Sequence, residues 1–321
     1  MTRYLITGGA GNLATQLTHE LACQQADITL LDIAEQPIAE PAAGSRYIQG
    51  DVTDEPAISS LIREYQPDII IHLASLLSGS SEENRRLAWR VNMDGSFHLL
   101  ELAVEHNVKQ FFFPSSVAAF GGVLPNPVPE DQPQWPEGIY GVTKAAVERL
   151  GVYYHQRHGL DFRVLRVPVV ISEHAPRGAA SGYASQAFVQ AYKNGRFVFV
   201  VRRTSRPALI YVKDVLRAIL QLLAAPTDAL SRRVYNIQAI SPTATELATA
   251  IAARLPKAEL SFEFDPEVAD LIDSWPIEFD DASARRDWHW NPQYDLEKMT
   301  DDFIGHLRSQ SGDAQPLSKT R

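Results

Sequence analysis

The sequence has almost no cysteine. Cys23 is the single one in 321 residues, so no internal disulfide can form, and its position in HELACQQ marks a small packing residue on a first helix rather than a nucleophile. The chain enters RYLIT with no charged n-region, apolar h-region or small-residue cleavage site, so the expected compartment is the cytoplasm. Hydrophobic residues make up 45% and charged residues 21%, which excludes wholesale disorder and membrane spanning. Basic residues are the minority, 30 Lys and Arg against 39 Asp and Glu, for a net charge of -9. With no Lys/Arg block and no aromatic-basic stripe, nucleic acid is excluded as a partner. Among the histidines, His72, His98 and His106 included, none has ligand spacing with acidic or cysteine partners, so no metal is expected. Internal repeats and low-complexity segments are absent.

What is present is alternation. YLIT, ITLLDI, RYIQGDV, IIIHLAS and QFFFPSS alternate with helical patterns beginning at Asn12, near Ala57–Tyr65 and near Leu87–His106. A further helix holds YGVTKAAVERLGVYYHQRHG, ending at Gly159, before the strand FRVLRVPVVIS. This order predicts an α/β fold, a Rossmann-type doubly wound parallel sheet with a smaller α/β carboxyl-terminal substrate lobe. The nearly continuous apolar runs suit strands covered by helices on both faces. We read residues 1–170 as a dinucleotide-binding domain, with a returning strand and helix near 207–225. Residues 171–307 form the substrate lobe and 308–321 a polar, flexible tail. The lobe includes the small-residue loop EHAPRGAASGY and a helix opened by Thr243 and Glu246 in capping-box spacing.

The first strand breaks into Gly9-Ala10-Gly11-Asn12-Leu13-Ala14, which fits G-x-G-x-x-G/A with alanine in the last place. Gly9 provides the tight turn and Gly11 lets the backbone approach a pyrophosphate. The last position needs only a small residue for helix–strand packing, which a methyl group satisfies. Gly8, Gly9, Gly11, Asn12 and Leu13 then surround a helix N-terminus that favours anions. Asp32, about 20 residues on at the end of ITLLD, is placed to accept hydrogen bonds from the adenosine ribose and to repel a 2′-phosphate. That pairing selects NAD over NADP.

Tyr140-Gly-Val-Thr-Lys144 puts a phenol and an ammonium on one helix face. The cation is expected to lower the phenol pKa, making Tyr140 a general base, while Lys144 holds the nicotinamide ribose. Ser115 and Ser116 end a buried strand at the carboxyl edge of the sheet, where open α/β folds bind ligands. Ser116 is thus placed to bind a substrate hydroxyl, although Ser-Ser pairs also turn or cap strands.

With these residues in this order the chain resembles the extended short-chain dehydrogenase/reductase family, the NAD-dependent epimerase/dehydratase-like group. HLASLLSGSSEENRRLAWRVNMDG, YGVTKAAVERLGVYYHQRHGLDFRVLR and DSWPIEFDDASARRDWHWNPQYDLEKMT look like the short-chain type of L-threonine 3-dehydrogenase. The resemblance implies that Ser116, Tyr140 and Lys144 carry catalysis. It also implies that Asp51 and Val52 lie near adenine, Leu73, Ala74 and Ser75 line the cofactor channel, Asn92 supports the active-site helix, and Pro168 lies against the nicotinamide. Ser78, Tyr183, Arg206 and Trp275 become substrate-side candidates, and a symmetric homodimer through two helices is implied.

The expected activity is NAD-dependent oxidation of a secondary alcohol in a small hydroxylated amino acid, like that of L-threonine 3-dehydrogenase. Val167-Pro168-Val169 departs from the pattern, since threonine dehydrogenases usually carry tyrosine before that proline and glycine after it. Dehydrogenation of another hydroxy acid or sugar acid, with Arg206 or a neighbour as carboxylate clamp, therefore stands as an alternative. Two others are a sugar-nucleotide epimerase, although LRVPVVISEHAP lacks the aromatic-Asn-x-x-Gly stretch, and a silent NAD-sensing protein on the same fold.

Overall fold

The computed structural model describes residues 1–174 and 180–310. Part of the expected small-residue loop, 175–179, and most of the expected tail, 311–321, lie outside the described residues. The last described helix, Leu296–Gln310, continues into the range read as tail. The strands, in chain order, are β1 Arg3–Thr7, β2 Asp27–Asp32, β3 Arg46–Gln49, β4 Ile69–His72, β5 Gln110–Ser116 and β6 Asp161–Val167, then β7 Val169–Ile171, β8 Arg196–Phe199, β9 Leu209–Tyr211, β10 Val234–Asn236 and β11 Glu259–Phe262.

Seven strands form a parallel sheet in the order β10-β6-β5-β4-β1-β2-β3. The reversal of winding beside β1 gives a doubly wound sheet its ligand crevice, and every connecting loop of interest leaves a carboxyl end there. The strands are apolar on both faces because helices cover both. Leu5, Ile70, Phe111 and Phe162 have no exposed surface, and they pack with Leu99, Leu100 and Val147 from the helices into one core.

Local chemistry sets the helix starts. Asp54 accepts from Ala57 N at the head of Glu55–Tyr65, with proline in the first turn, and Gly159 ends Ile139–His158 in the left-handed region at φ 74°. The stretch read as one helix from Leu87 starts instead at Arg85 and is interrupted by a π turn, Arg90–Asp94, before Gly95–Glu105. Such widened turns are concentrated at functional sites.

Two compact units emerge. The first holds Met1–Pro168, Val215–Ile237 and Phe279–Trp290; the second holds Val169–Asp214, Gln238–Glu278 and the segment from Asn291. The strand expected to return near 207, β9, pairs with β7 in the second unit, while β10 supplies the seventh strand of the large sheet. In the second unit β8 and β11 form another parallel pair, and the predicted capping box is present, with Thr243 and Glu246 bonding reciprocally. Among the described residues, no helix is long and apolar enough to cross a membrane.

Candidate active site

The loop after β1 is built for close backbone approach. Gly8 has φ +69°, and a Cβ there would stand 2.6 Å from Ala74 N; one on Gly9 would stand 2.7 Å from Leu30 Cβ. The left-handed turn therefore falls on Gly8 rather than on Gly9. Gly9 is instead required where the loop passes β2, with its N–H on Leu31 O at 2.9 Å. At Gly11, the N-cap of Asn12–Ala22, an added Cβ meets only Gly8 O, at 3.1 Å. Protein packing thus accounts for Gly8 and Gly9, while the space above Gly11 opens at a helix N-terminus. A dinucleotide pyrophosphate fits there, beside Asn12 and Leu13. Ala14 is fully buried against the sheet, as its small size requires.

Asp32 is held by two backbone donors, Ala10 N on Oδ2 and Ala34 N on Oδ1, each at 3.0 Å. Its carboxylate keeps lone pairs for two ribose hydroxyls. Asp51 caps its own turn through Thr53 N, and Val52 is buried beneath Gly95.

Beyond β4 a chain of buried polar contacts supports the segment Leu73-Ala74-Ser75. Leu73 N donates to Thr7 O at 3.0 Å and Ala74 N to Thr7 Oγ1 at 3.3 Å. His72 Nδ1 lies 2.6 Å from the same hydroxyl and its Nε2 lies 2.9 Å from Ser96 Oγ, which donates to Asn92 O. Burial, with Lys144 nearby, lowers the His72 pKa to about 3, so the ring is neutral. Asn92, in the π turn, accepts from Leu76 N and Ser75 Oγ and donates to Leu76 O and Thr143 Oγ1. Thr143 in turn donates to Tyr140 O at 2.8 Å. Asn92 therefore supports both the β4 loop and the first turn of the helix carrying Tyr140.

That helix, Ile139–His158, lies along β5. Its start is held by Glu82, which accepts from Ile139 N at 2.7 Å. Gly141 has no room for a side chain, because a Cβ would fall 2.0 Å from Ala118 O. Tyr140 is half-buried and stands by Ser116, whose hydroxyl also accepts from Ala118 N at 3.1 Å, capping the turn Val117–Ala119. Lys144 is buried, its Nζ donating to Pro114 O at 2.9 Å and lying 4.3 Å from the Phe113 ring centre and 5.4 Å from that of Tyr140.

The protonation states correct the sequence-based expectation. Burial pushes the Tyr140 phenol up to about 12, against the downward pull of Ser116. Burial also brings Lys144 down to about 7, with Glu148 opposing the change. In the protein alone the phenol is thus not activated, because an ammonium out of water is itself partly neutralised and its proton is directed at a carbonyl.

The remaining candidates are divided between the two units. Pro168 is buried at the end of β6 and Ser78 is exposed at the start of Ser78–Glu83. Tyr183, Arg206 and Trp275 belong to the second unit. There Tyr183 is buried against Phe199, Arg206 is exposed with its Nε on Ser241 O, and Trp275 is half-buried. Sequence reasoning missed Glu148, Arg166 and Gly141. Glu148 was marked only by following Lys144 at the spacing by which Lys144 follows Tyr140.

Residues 4–237 match the model of the NAD dependent epimerase/dehydratase family. The chain belongs to that family. Mitochondrial L-threonine 3-dehydrogenase of Bos taurus is 38% identical over 98% of this chain and 84% of its own length. The crystal structure of L-threonine dehydrogenase from Clostridium difficile superposes with a TM-score of 0.90 at 35% identity, covering 97% of this chain and 98% of that one. A nucleoside-diphosphate-sugar epimerase from Agrobacterium tumefaciens, with a TM-score of 0.87 over 98% of this chain and 95% of its own but 24% identity, shares the fold. Within the NAD dependent epimerase/dehydratase family, the protein is an NAD-dependent oxidoreductase acting on a small hydroxy-acid-like substrate.

Proposed function

We propose that the protein is an L-threonine 3-dehydrogenase that uses NAD+ in preference to NADP+. The observation that carries this reading is the convergence of Tyr140, Lys144 and Ser116 at the carboxyl end of β5, in a chain similar over almost its whole length to L-threonine dehydrogenases. Gly8, Gly9, Gly11, Asn12 and Leu13 would hold the pyrophosphate. Asp32 would hold the adenosine ribose and repel a 2′-phosphate, with Asp51 and Val52 toward adenine. Leu73, Ala74, Ser75, Asn92 and Pro168 would line the nicotinamide end.

Bound NAD+ supplies the acceptor for the hydride on the alcohol carbon. Ser116 would hold the substrate hydroxyl, and Tyr140, its own proton first lost to solvent under the influence of the Lys144 charge, would accept the substrate proton as the carbonyl forms. Lys144 would support the phenolate and help to hold the nicotinamide ribose. L-threonine and NAD+ give 2-amino-3-ketobutyrate, NADH and a proton. Ser78, Tyr183, Arg206 and Trp275 are the residues we assign to the substrate, with Arg206 as the carboxylate partner. Val167 and Val169 favour a second reading, oxidation of a different hydroxy acid or sugar acid, because they add apolar bulk where polar or small residues are usual.

Leu87, Trp89 and Phe97, with Val142 and Tyr153 on Ile139–His158, are exposed apolar side chains. They support a homodimer through these helices. The acidic charge and single cysteine support a cytoplasmic setting. NADH formation measured in parallel with L-threonine, 3-hydroxy acids and aldonic acids tests the substrate assignment. Fastest turnover of L-threonine is expected; turnover confined to another acid would transfer the assignment to that acid.

A further inference from the structure

One face of Ile139–His158 presents Tyr140, Lys144 and Glu148 at successive four-residue steps, and each meets the end of β5. Tyr140 stands by Ser116 and Lys144 donates to Pro114 O. Glu148 accepts from Ser115 Oγ at 2.5 Å. The three consecutive strand residues are thus matched to three turns of the helix.

Glu148 is fully buried, as is its ion-pair partner Arg166 on β6. Arg166 donates from Nε at 3.0 Å and from Nη2 at 2.7 Å, and Gln134 Nε2 donates at 2.9 Å. Arg166 also reaches Glu130 O and Asn236 Oδ1, so its charge is shared among several acceptors. These donors satisfy the carboxylate in a place where water does not screen it.

We propose that Glu148 is a positioning residue of the candidate catalytic pair: anchored by Ser115, Arg166 and Gln134, it seats the helix on β5 and supplies the negative charge that favours the ammonium form of Lys144. The proposal rests on the reading of Lys144 given above. The groups facing Lys144 leave few other sources of that charge. His72 on β4 is neutral, β5 offers the Phe113 ring and Pro114 O, Tyr140 is a neutral phenol, and Arg166 is a cation bound to Glu148 itself. The direction in which Glu148 moves the lysine, upward against burial, agrees.

The test is a 13C NMR titration of protein labelled at lysine Cε, without cofactor or substrate, with the Lys144 resonance assigned by its loss in Lys144→Arg. In the unaltered protein Lys144 is expected to titrate near neutrality. In Glu148→Gln its protonation constant should fall at least tenfold, while Glu148→Asp should stay close to the parent. Should Glu148→Gln not fold, Arg166→Gln leaves the Glu148 charge without its cation partner, and its Lys144 protonation constant should rise. A Lys144 titration unchanged in folded Glu148→Gln, or, where only Arg166→Gln folds, in that variant, overturns the proposal. Because the readout needs no turnover, absence of NADH formation would sink the functional reading and leave this result standing.

Discussion

The carbonyl oxygen of Ala118 occupies the place where residue 141 would carry a Cβ, 2.0 Å from its ideal position. The helix bearing Tyr140 is therefore seated directly on the turn that follows Ser116, and the hydroxyl and the phenol owe their proximity to a missing methyl group. Gly141→Ala must lift the first helical turn. Overpacking of this kind destabilises by about 1–3 kcal/mol, and a displacement of about 1 Å at a reacting group costs about 100-fold in rate. We expect kcat to fall by about that factor with NADH affinity little altered; wild-type kcat in Gly141→Ala would show that the contact does not set the site.

Tyr140→Phe keeps the ring and removes only the proton acceptor. General-base removal typically lowers turnover by about 100- to 10,000-fold. Stopped-flow NADH formation should show at least this loss, while fluorescence titration with NADH matches the parent. Retained turnover would reassign the base.

Asp32→Asn retains an oxygen for one of the two backbone donors, Ala10 N and Ala34 N, and removes the negative charge. Repulsion between unit charges at about 4 Å lies between about 1 and 4 kcal/mol in water and near a protein surface. The ratio of kcat/KM for NAD+ over that for NADP+ should therefore drop roughly tenfold or more. An unchanged ratio would mean that another group excludes the 2′-phosphate.

Stability should depend on pH through His72. Its pKa in the folded protein is about 3, below its ordinary value of 6.5, so between those values the unfolded chain binds the extra proton. Its contribution is complete above pH 6.5 and is lost as the pH falls toward 3. Lys144, lowered from 10.5 to about 7, likewise makes stability rise with pH across that interval. In His72→Gln the Tm should be lower at neutral pH, where the bonds to Thr7 and Ser96 are weakened, but should fall less steeply from pH 6.5 downward. A slope equal to the parent's would remove His72 as the cause.

Much of the site was legible because its chemistry is local. The glycine loop, Asp32 at a strand end and the Tyr140–Lys144 pair are each written within a few residues, and strand and helix periodicity places them on the sheet edge. The left-handed glycine was misassigned by one position because the sequence offers Gly8 and Gly9 side by side, and only the approach of Ala74 and Leu30 distinguishes them. Asn92 was singled out by resemblance, but its π turn has no local signature.

By itself the sequence determined the alternation that makes a parallel sheet, the glycine loop leading into a helix N-terminus, and the shared helix face of Tyr140 and Lys144, since backbone geometry and side-chain spacing suffice for these. Tertiary structure alone decided that Val234–Asn236 completes the sheet, that Phe279–Trp290 joins the first unit, and that Glu148 is locked between Ser115 and Arg166. It also decided that burial raises the Tyr140 phenol and lowers Lys144. A pKa depends on how much water has been removed and on which charges remain within a few ångströms, and those neighbours come from strands far apart in the chain.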